Sequence, residues 1–222
     1  MEEHLTQSEE NYIKAIFALQ EETSAPVSTN DLADKMETKA SSVTDMVKKL
    51  AEKSLISYKK YKGCELTAEG ERTALKTIRK HRLWETFLVE KLKFGWDEVH
   101  EVAEQLEHIR STKLTDQLEA FLDFPKFDPH GDAIPDRNGE IVRREKSCKL
   151  YELNLHTEAV VIGVADGSPS FLRYLDKHRI NLGTKLKVTE KFEFDDSLEV
   201  ELNDSKLSLS SAAATNITVQ LI

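Results

Sequence analysis

The chain has 222 residues, of which 32% are charged and 39% are hydrophobic, and its formal net charge is −9 at pH 7. A chain of this length can bury a core without disulfide bonds, and its two cysteines, Cys64 and Cys148, form no CxxC pair. No apolar run reaches the ~18 residues that a membrane-spanning helix needs, so we expect a cytoplasmic protein without a membrane partner.

The N-terminal third predicts three helices. Apolar residues recur at helical spacing over residues 9–20, and Thr6 with Glu9 forms a capping-box pattern before them. Ser28 is placed to cap a short helix over 29–36, and a polar turn of three residues leads to a helix over about 40–53. Two short helices joined by such a turn predict a helix-turn-helix.

The third helix and the segment after it carry the residues that we expect to bind DNA. Residues 39–62 hold seven lysines against two acidic residues, although the whole chain is acidic. Residues 55–66 predict a β-hairpin with a basic tip, typical of a wing whose lysines hold phosphates, and small hydroxyl side chains suit base edges. The predicted DNA-binding residues are Thr29, Lys39, Ser41, Ser42, Thr44, Asp45, Lys48, Lys59, Lys60 and Lys62. The alternative is a partner-binding module with a solvated basic face.

The middle of the chain predicts a helical unit. Thr67 is placed to cap a long helix over about 68–93, and further helices are predicted over about 96–110 and over 112–122. Their large apolar side chains exceed what one neighbouring element needs, which favours a homodimer. The alternative is that these residues all serve the core of one monomer.

Two of these helices place histidines and carboxylates on one side. His81 and Glu85 are four residues apart, and the next helix carries matching residues at i, i+4, i+7 and i+8, namely His100, Glu104, Glu107 and His108. Imidazole and carboxylate together suit Mn, Fe, Zn or Co. The alternatives are a solvated acidic face and a carboxylate-bridged metal enzyme. Because the enzyme motif lacks a second copy and no general base stands out, we expect no catalytic residues and no enzyme.

The C-terminal part predicts a linker and then strands. Residues 124–149 are turn-rich and hold three of the five prolines. Beyond them, strands are predicted over 159–164, 185–189, 198–202, 206–209 and 217–222, with one helix over 169–178. Short strands with tight turns predict a small β-barrel, so the expected class is α+β. The predicted domains are 1–72, 73–142 and 143–222, with the helical metal-binding and dimerisation domain in the middle.

Four stretches together resemble the diphtheria toxin repressor family of metalloregulators. They are ENYIKAI at 10–16, KHRL through Glu85 at 80–85, the stretch at 99–108 and DPHGDAIP at 128–135. The resemblance covers essentially the whole chain. It implies a homodimeric, metal-activated transcriptional repressor of metal-uptake and metal-homeostasis genes. It also implies an N-terminal winged helix-turn-helix, an SH3-like third domain and a palindromic operator of double-stranded DNA.

The same resemblance implies two metal sites. By position, Glu104, Glu107 and His108 match the family's primary site, with Asn11 beside them, and His81, Glu85 and His100 match its ancillary site. Lys14 stands where a manganese-responding relative without the third domain has a Glu ligand. Iron-responding members also take ligands from the barrel, where this chain offers Gly167, Ser170 and the nearby Asp166.

The metal preference is predicted from two of these positions. Iron-responding relatives have Cys in place of Glu104 and Met in place of Asn11, whereas manganese-responding relatives have Asp at the latter position. Oxygen ligands suit Mn(II), the harder and weaker-binding ion. We therefore expect Mn(II) as the activator, with Fe(II) as the alternative and Zn(II) or Co(II) able to substitute in vitro.

Overall fold

The computed structural model of the protein describes residues 4–59, 62–142, 144, 146–202 and 205–222. The chain divides into two compact units, one formed by residues 1–81, 105–111 and 135–140, and the other by residues 82–104, 112–134 and 141–222. Within the described ranges, none of the helices is both long and apolar enough to cross a bilayer. The domain boundaries expected after residues 72 and 142 remain a prediction.

The first unit contains the predicted helix-turn-helix. Its helices are α1 (Gln7–Thr23), α2 (Thr29–Lys35) and α3 (Ala40–Glu52), followed by the antiparallel strands β1 (Ile56–Lys59) and β2 (Gly63–Leu66). Thr6 and Glu9 form the expected capping box, and the Ser28 hydroxyl accepts a hydrogen bond from the Asp31 amide at 3.1 Å. The apolar sides of the three helices share one core with the hairpin, which fixes α3 against α1.

Three helices follow the hairpin: α4 (Ala68–Glu90), α5 (Val99–Leu106) and α6 (Thr112–Phe121). The Thr67 hydroxyl caps α4 by accepting a hydrogen bond from the Gly70 amide at 3.1 Å. The bounds predicted for α5, about 96–110, are wrong at both ends. Residues 96–98 form a turn before the helix, and Glu107 and His108 lie in a turn after it. In this turn the Ile109 amide donates to the Leu106 carbonyl at 3.1 Å, and the side chains of residues 107 and 108 bind partners outside the helix.

The second unit ends in an antiparallel sheet of six strands. The strands are β3 (Ser147–Lys149), β4 (Glu158–Val164), β5 (Lys185–Lys191), β6 (Leu198–Leu202), β7 (Ser205–Leu209) and β8 (Ile217–Leu221), paired in the order β3-β8-β4-β5-β6-β7. A 3-10 helix (Leu150–Glu152) and two helices, α7 (Pro169–Lys177) and α8 (Ser211–Asn216), complete it. Strand β3, the 3-10 helix and α8 are absent from the sequence prediction.

One loop of the linker packs tightly on this sheet. Gly131 has φ +90°, and a Cβ atom there would lie 2.1 Å from the Ile162 carbonyl oxygen of β4. The neighbouring His130 carbonyl accepts a hydrogen bond from the Val164 amide at 2.9 Å. Only glycine fits this position, because both the backbone conformation and the space exclude a side chain. The loop that carries Asp128 and His130 is therefore fixed to β4.

Candidate metal centre

Helix α1 presents polar side chains beside its buried apolar face. Glu10, Asn11 and Lys14 lie within the first two turns, while Ile13 and Ile16 are fully buried in the core. A residue four positions further along a helix lies one turn on, so Glu10 and Lys14 are neighbours on the helix surface. The capping box therefore places three polar side chains in a fixed orientation at the start of α1.

Glu107 is the centre of the first group of side chains. Its carboxylate is fully buried, and its oxygens lie 2.8 and 2.9 Å from Lys14 Nζ. The second oxygen also lies 2.6 Å from Nδ1 of His81, a buried residue of α4. Burial alone would raise the pKa of Glu107, but His81 and Lys14 outweigh burial and lower that pKa. Glu107 is therefore an ionised carboxylate at neutral pH.

A second pair lies next to it in the same unit. His108 Nδ1 is 2.5 Å from Oε2 of Glu10, and His108 Nε2 is 3.8 Å from Oε1 of Glu107. Glu10 was not among the predicted ligands, although it belongs to the ENYIKAI stretch. Its sequence signal is the i, i+4 relation to Lys14, but only the fold shows that it faces His108.

Asn11 provides an observation that bears directly on metal binding. Its side-chain oxygen Oδ1 is buried and has no hydrogen-bond partner among the described residues. A buried polar atom without a partner is costly, and such atoms in native proteins commonly await an ion or a water. The carboxylates of Glu10 and Glu107 and the imidazole of His108 are, like this amide oxygen, donor types that suit a hard divalent cation.

Glu85 is the centre of the other group, which belongs to the second unit. Its Oε1 lies 3.3 Å from Nδ1 of His100, and its Oε2 lies 3.4 Å from Nδ1 of His130. Glu85, Asp128 and His130 are all buried and each offers a ligand atom, these atoms lying within 4.8 Å of one another. Three converging buried ligands are the minimum that a metal site requires, so this group fits a cation as well.

The protonation of this second group is strongly perturbed. The carboxylates of Glu104 and Glu85 raise the pKa of His100 to about 9. Burial would lower the pKa of His130, but Glu85 and its other partners raise it to about 9. Burial and the charges of Asp132 and Glu85 raise the pKa of Asp128 to about 7. A cation here would replace the protons held at neutral pH, because metal ligands must be deprotonated.

The predicted metal ligands are thus distributed between two groups of side chains. His81, Glu107 and His108 take part in the first group, and Glu85 and His100 in the second. Glu104 is nearly half exposed and lies 3.5 Å from Nε2 of His100. Asp128 and His130 were not among the predicted ligands. Both residues belong to the DPHGD stretch that stood out in the sequence. The sequence does not show that the loop around Gly131 brings His130 to Glu85, because this contact forms only in the folded protein.

The predicted DNA-binding residues that are described lie in the first unit, on and around α3. Ser41, Ser42, Asp45 and Lys48 are exposed on α3, Lys39 precedes the helix, and Lys59 and Lys62 are exposed on the hairpin. Thr44 is half-buried and its hydroxyl donates to the Ala40 carbonyl at 2.8 Å, while Thr29 is the first residue of α2. Lys60 lies outside the described residues. The described lysines form an exposed cationic surface that suits a polyanion.

Comparisons with known proteins cover most of the chain. Residues 4–64 match the model of the iron-dependent repressor N-terminal DNA-binding domain, and residues 67–136 match that of the iron-dependent repressor metal binding and dimerisation domain. Residues 148–221 match the FeoA domain model. All three parts of the chain therefore have relatives among described domain families.

Individual relatives agree with these matches. An uncharacterised HTH-type transcriptional regulator of Methanocaldococcus jannaschii is 34% identical over 119 residues, which are 54% of this chain and 95% of that protein. The iron-dependent repressor IdeR of Mycobacterium leprae is 31% identical over 131 residues, which are 59% of this chain and 56% of that protein. The match thus spans little more than half of that repressor. A solved structure described as a manganese-dependent transcriptional repressor in complex with manganese has a TM-score of 0.87 and 35% identity, and the match covers 96% of this chain and 100% of that one.

Proposed function

Because this chain belongs to the family of iron-dependent repressors that includes the diphtheria toxin repressor, we propose that it is a metal-dependent DNA-binding repressor. Its targets are genes for metal uptake and homeostasis, and it acts as a homodimer on a palindromic operator. One observation carries the proposal: polar groups of α1 meet Glu107 and His108, which lie 93 and 98 residues further along the chain than their partners Lys14 and Glu10. A ligand bound by these groups would act directly on the DNA-binding domain.

Two segments of the chain provide the groups that would hold the metal ion. Glu10 and Asn11 belong to α1, whose apolar face shares a core with α3, and Glu107 and His108 belong to the turn after α5. A divalent cation would supply the positive charge that holds these two segments in one arrangement. A cation that prefers the DNA-competent arrangement shifts the population toward it, typically by about 1–3 kcal/mol for each linked site.

Mn(II) is the activator that these ligands favour. Of the ligands that the family resemblance implies, Asn11, Glu104 and Glu107 offer oxygen atoms and His108 offers an imidazole nitrogen, whereas Glu104 pairs with His100 in the structure. Affinity order alone favours Fe(II), Co(II) or Zn(II) over Mn(II), so selectivity has to come from coordination number and geometry. Carboxylates can bind through one or both oxygens, which accommodates the higher coordination that Mn(II) accepts. Fe(II) is the alternative activator, and Zn(II) or Co(II) would substitute in vitro.

The group around Glu85 is proposed as a second cation site. Glu85, Asp128 and His130 supply its buried ligands, and His100 lies at its edge. This group shares Glu85 and His100 with the ancillary set expected from the sequence and adds Asp128 and His130 of the linker loop, whereas His81 pairs with Glu107. In the loop between β4 and α7, Asp166 accepts a hydrogen bond from the Ser168 amide at 2.8 Å through one carboxylate oxygen.

The test measures operator binding as a function of free metal. A DNA fragment is first selected from a random duplex library with Mn(II)-loaded protein, and its affinity is then measured anaerobically with Mn(II), with Fe(II) and with EDTA. We expect tight binding with either metal, a lower threshold for Mn(II), and loss of binding in EDTA. Sequence-specific binding that persists in EDTA would contradict a metal-dependent repressor, and a far lower threshold for Fe(II) would contradict the metal preference.

A further inference from the structure

Glu9 is a buried carboxylate at the first turn of α1. It is fully buried, and its Oε2 accepts a hydrogen bond from the Thr6 amide at 2.7 Å. Its Oε1 lies 3.1 Å from Nζ of Lys49 and 3.0 Å from Nζ of Lys53. Lys49 lies in the last turn of α3 and Lys53 is the residue that ends the helix. One carboxylate therefore joins the beginning of α1 to the end of α3.

The environment of Glu9 keeps it charged. Burial alone would raise its pKa, but the Thr6 amide and the ammonium groups of Lys53 and Lys49 outweigh burial and lower the pKa to about 2. A buried carboxylate is costly unless it is paired and hydrogen-bonded, as this one is. A capping box alone would work equally well with an exposed glutamate. The burial of Glu9 between two helices therefore calls for a role beyond capping.

The neighbours of Glu9 on α1 belong to the candidate metal centre. The next residue, Glu10, lies 2.5 Å from His108, and Asn11 carries the buried oxygen without a partner. The first turns of α1 thus contact His108 through Glu10 and the end of α3 through Glu9. A displacement of this turn has to move both contacts or break one of them, because packed protein interiors transmit strain.

We propose that Glu9 is a positioning residue that holds the end of α3 to the first turn of α1, so that metal bound beside Glu10 and Asn11 sets the position of α3. The inference rests on the proposed function, since it assumes that metal and DNA bind to one chain in a coupled way. Glu9 itself contacts neither ligand. Its contribution is to the coupling between them, and coupling is reciprocal: DNA must raise metal affinity by the same factor by which metal raises DNA affinity.

The test compares the full-length wild type with two variants. The quantity compared is the coupling factor, which is the ratio of the DNA affinity with Mn(II) to the DNA affinity without it. Glu9→Gln keeps an oxygen for the Thr6 amide but removes the charge, and Lys53→Met keeps the length of the side chain but removes the ammonium. The affinity for the selected duplex is measured with saturating Mn(II) and with EDTA. We expect the wild-type ratio of these affinities, about 5- to 150-fold for typical coupling, to fall several-fold in both variants.

Lys48→Met is the matched control. Lys48 is an exposed lysine of the same helix that lies 3.7 Å from the exposed Asp45. Its loss should weaken DNA binding by the same factor with and without Mn(II), which leaves the ratio unchanged. A merely structural role for Glu9 predicts this same outcome for Glu9→Gln, together with a lower unfolding temperature.

A second readout requires no DNA. Amide hydrogen exchange in α3 should slow when Mn(II) is added to the wild type, and this slowing should be reduced in Glu9→Gln and Lys53→Met. Titration of Mn(II) in the absence of DNA should give affinities near that of the wild type. If Glu9→Gln does not fold, Lys53→Met decides. If the folded variants couple Mn(II) and DNA binding as strongly as the wild type does, Glu9 does not have this role. If the wild type itself binds DNA equally well with and without Mn(II), the proposed function is wrong.

Discussion

Lys14 places a positive charge of the protein itself against Glu107. Its ammonium contacts both carboxylate oxygens, and His81 contacts one of them. Lys14→Met should destabilise the metal-free protein by about 1–3 kcal/mol, because a buried acceptor loses a charged partner. The loss should shrink in saturating Mn(II), since a cation bound by Glu107 takes over the neutralising charge. Urea unfolding in EDTA and in Mn(II) measures both values.

The exposed Lys113 of α6 provides the control for this substitution. Lys113→Met should change the free energy of unfolding little under either condition. An equal loss for Lys14→Met with and without Mn(II) would show that Glu107 does not bind the cation.

We expect the metal preference to depend most on Glu104. It is partly exposed and pairs with His100, so its substitution should leave the fold intact. Glu104→Ala should lower the affinity for Mn(II) and Fe(II) by about 10- to 100-fold or more. Glu104→Cys should shift the response toward Fe(II), because thiolate is the softer ligand. Anaerobic competition titrations measure the change, with Glu101→Ala on the same helix as the control. Unchanged affinities in Glu104→Ala would remove this residue from the ligand set.

Helical spacing accounts for the pair His100 and Glu104. Both belong to α5, one turn apart, and His100 Nε2 lies 3.5 Å from Glu104 Oε1. Glu10, Asp128 and His130 were missed because their partners come from distant segments. Helical periodicity carries no information about such contacts, and only packing creates them.

At the scale of elements, the loop that carries Asp128 and His130 depends on Gly131. Gly131→Ala should lower the free energy of unfolding by about 1–3 kcal/mol, the cost of a strained backbone position, and should weaken the second cation site. Gly167→Ala is the control, since a Cβ atom there has no neighbour within 4 Å. Thermal unfolding and metal stoichiometry measure both effects. Retention of the second ion in Gly131→Ala would show that the loop does not position His130.

We expect the lysines of the hairpin to bind DNA phosphates and not to contact base edges. Lys59 is the last residue of β1 and Lys62 precedes β2, and both are exposed beside the turn. Replacing each by Ala should weaken binding to all duplexes alike and flatten the log–log salt dependence by about 0.9 for each lost phosphate contact. Ser42→Ala, on α3, should instead change base preference at an unchanged slope. If the slope does not respond to Lys59→Ala and Lys62→Ala, the wing does not contact DNA.

Elements with a clear signal were predicted, and elements without one were not. Thr6, Ser28 and Thr67 are N-caps, and each begins its helix as expected. The helix Ser211–Asn216 consists of small and polar residues without an amphipathic pattern, and β3 is only three residues long. Both are short pieces that are stabilised by tertiary contacts rather than by their own propensity. The end of α5 was predicted too late for the opposite reason, since its helical pattern continues through the turn.

At the scale of the whole molecule, we expect a second copy of this chain to bind the exposed apolar surface of the helical region. Phe121 is 63% exposed, although its ring lies near Phe87, and Leu92 and Phe124 are also more than half exposed. Exposed large apolar groups of this kind mark interaction surfaces. Phe121→Glu should therefore convert a dimer to a monomer in analytical ultracentrifugation and weaken binding to a palindromic duplex strongly.

Phe194 offers the matched control for this prediction. It is 99% exposed between β5 and β6, and Phe194→Glu should leave both the sedimentation coefficient and DNA binding unchanged. A Phe121→Glu protein that remains dimeric would exclude this surface as the interface.

The long sequence separation within the first metal-binding group has a consequence for protein synthesis. Glu10 and its partner His108 are 98 residues apart, and domains fold from the N-terminus as the ribosome releases them. A nascent chain that has completed only its winged helix-turn-helix holds Glu10 and Asn11 without Glu107 or His108. Such a chain cannot assemble the group, whatever the metal concentration around the ribosome. Under the proposed function, each molecule therefore responds to metal only after its helical region has emerged and folded, and never while the DNA-binding domain stands alone.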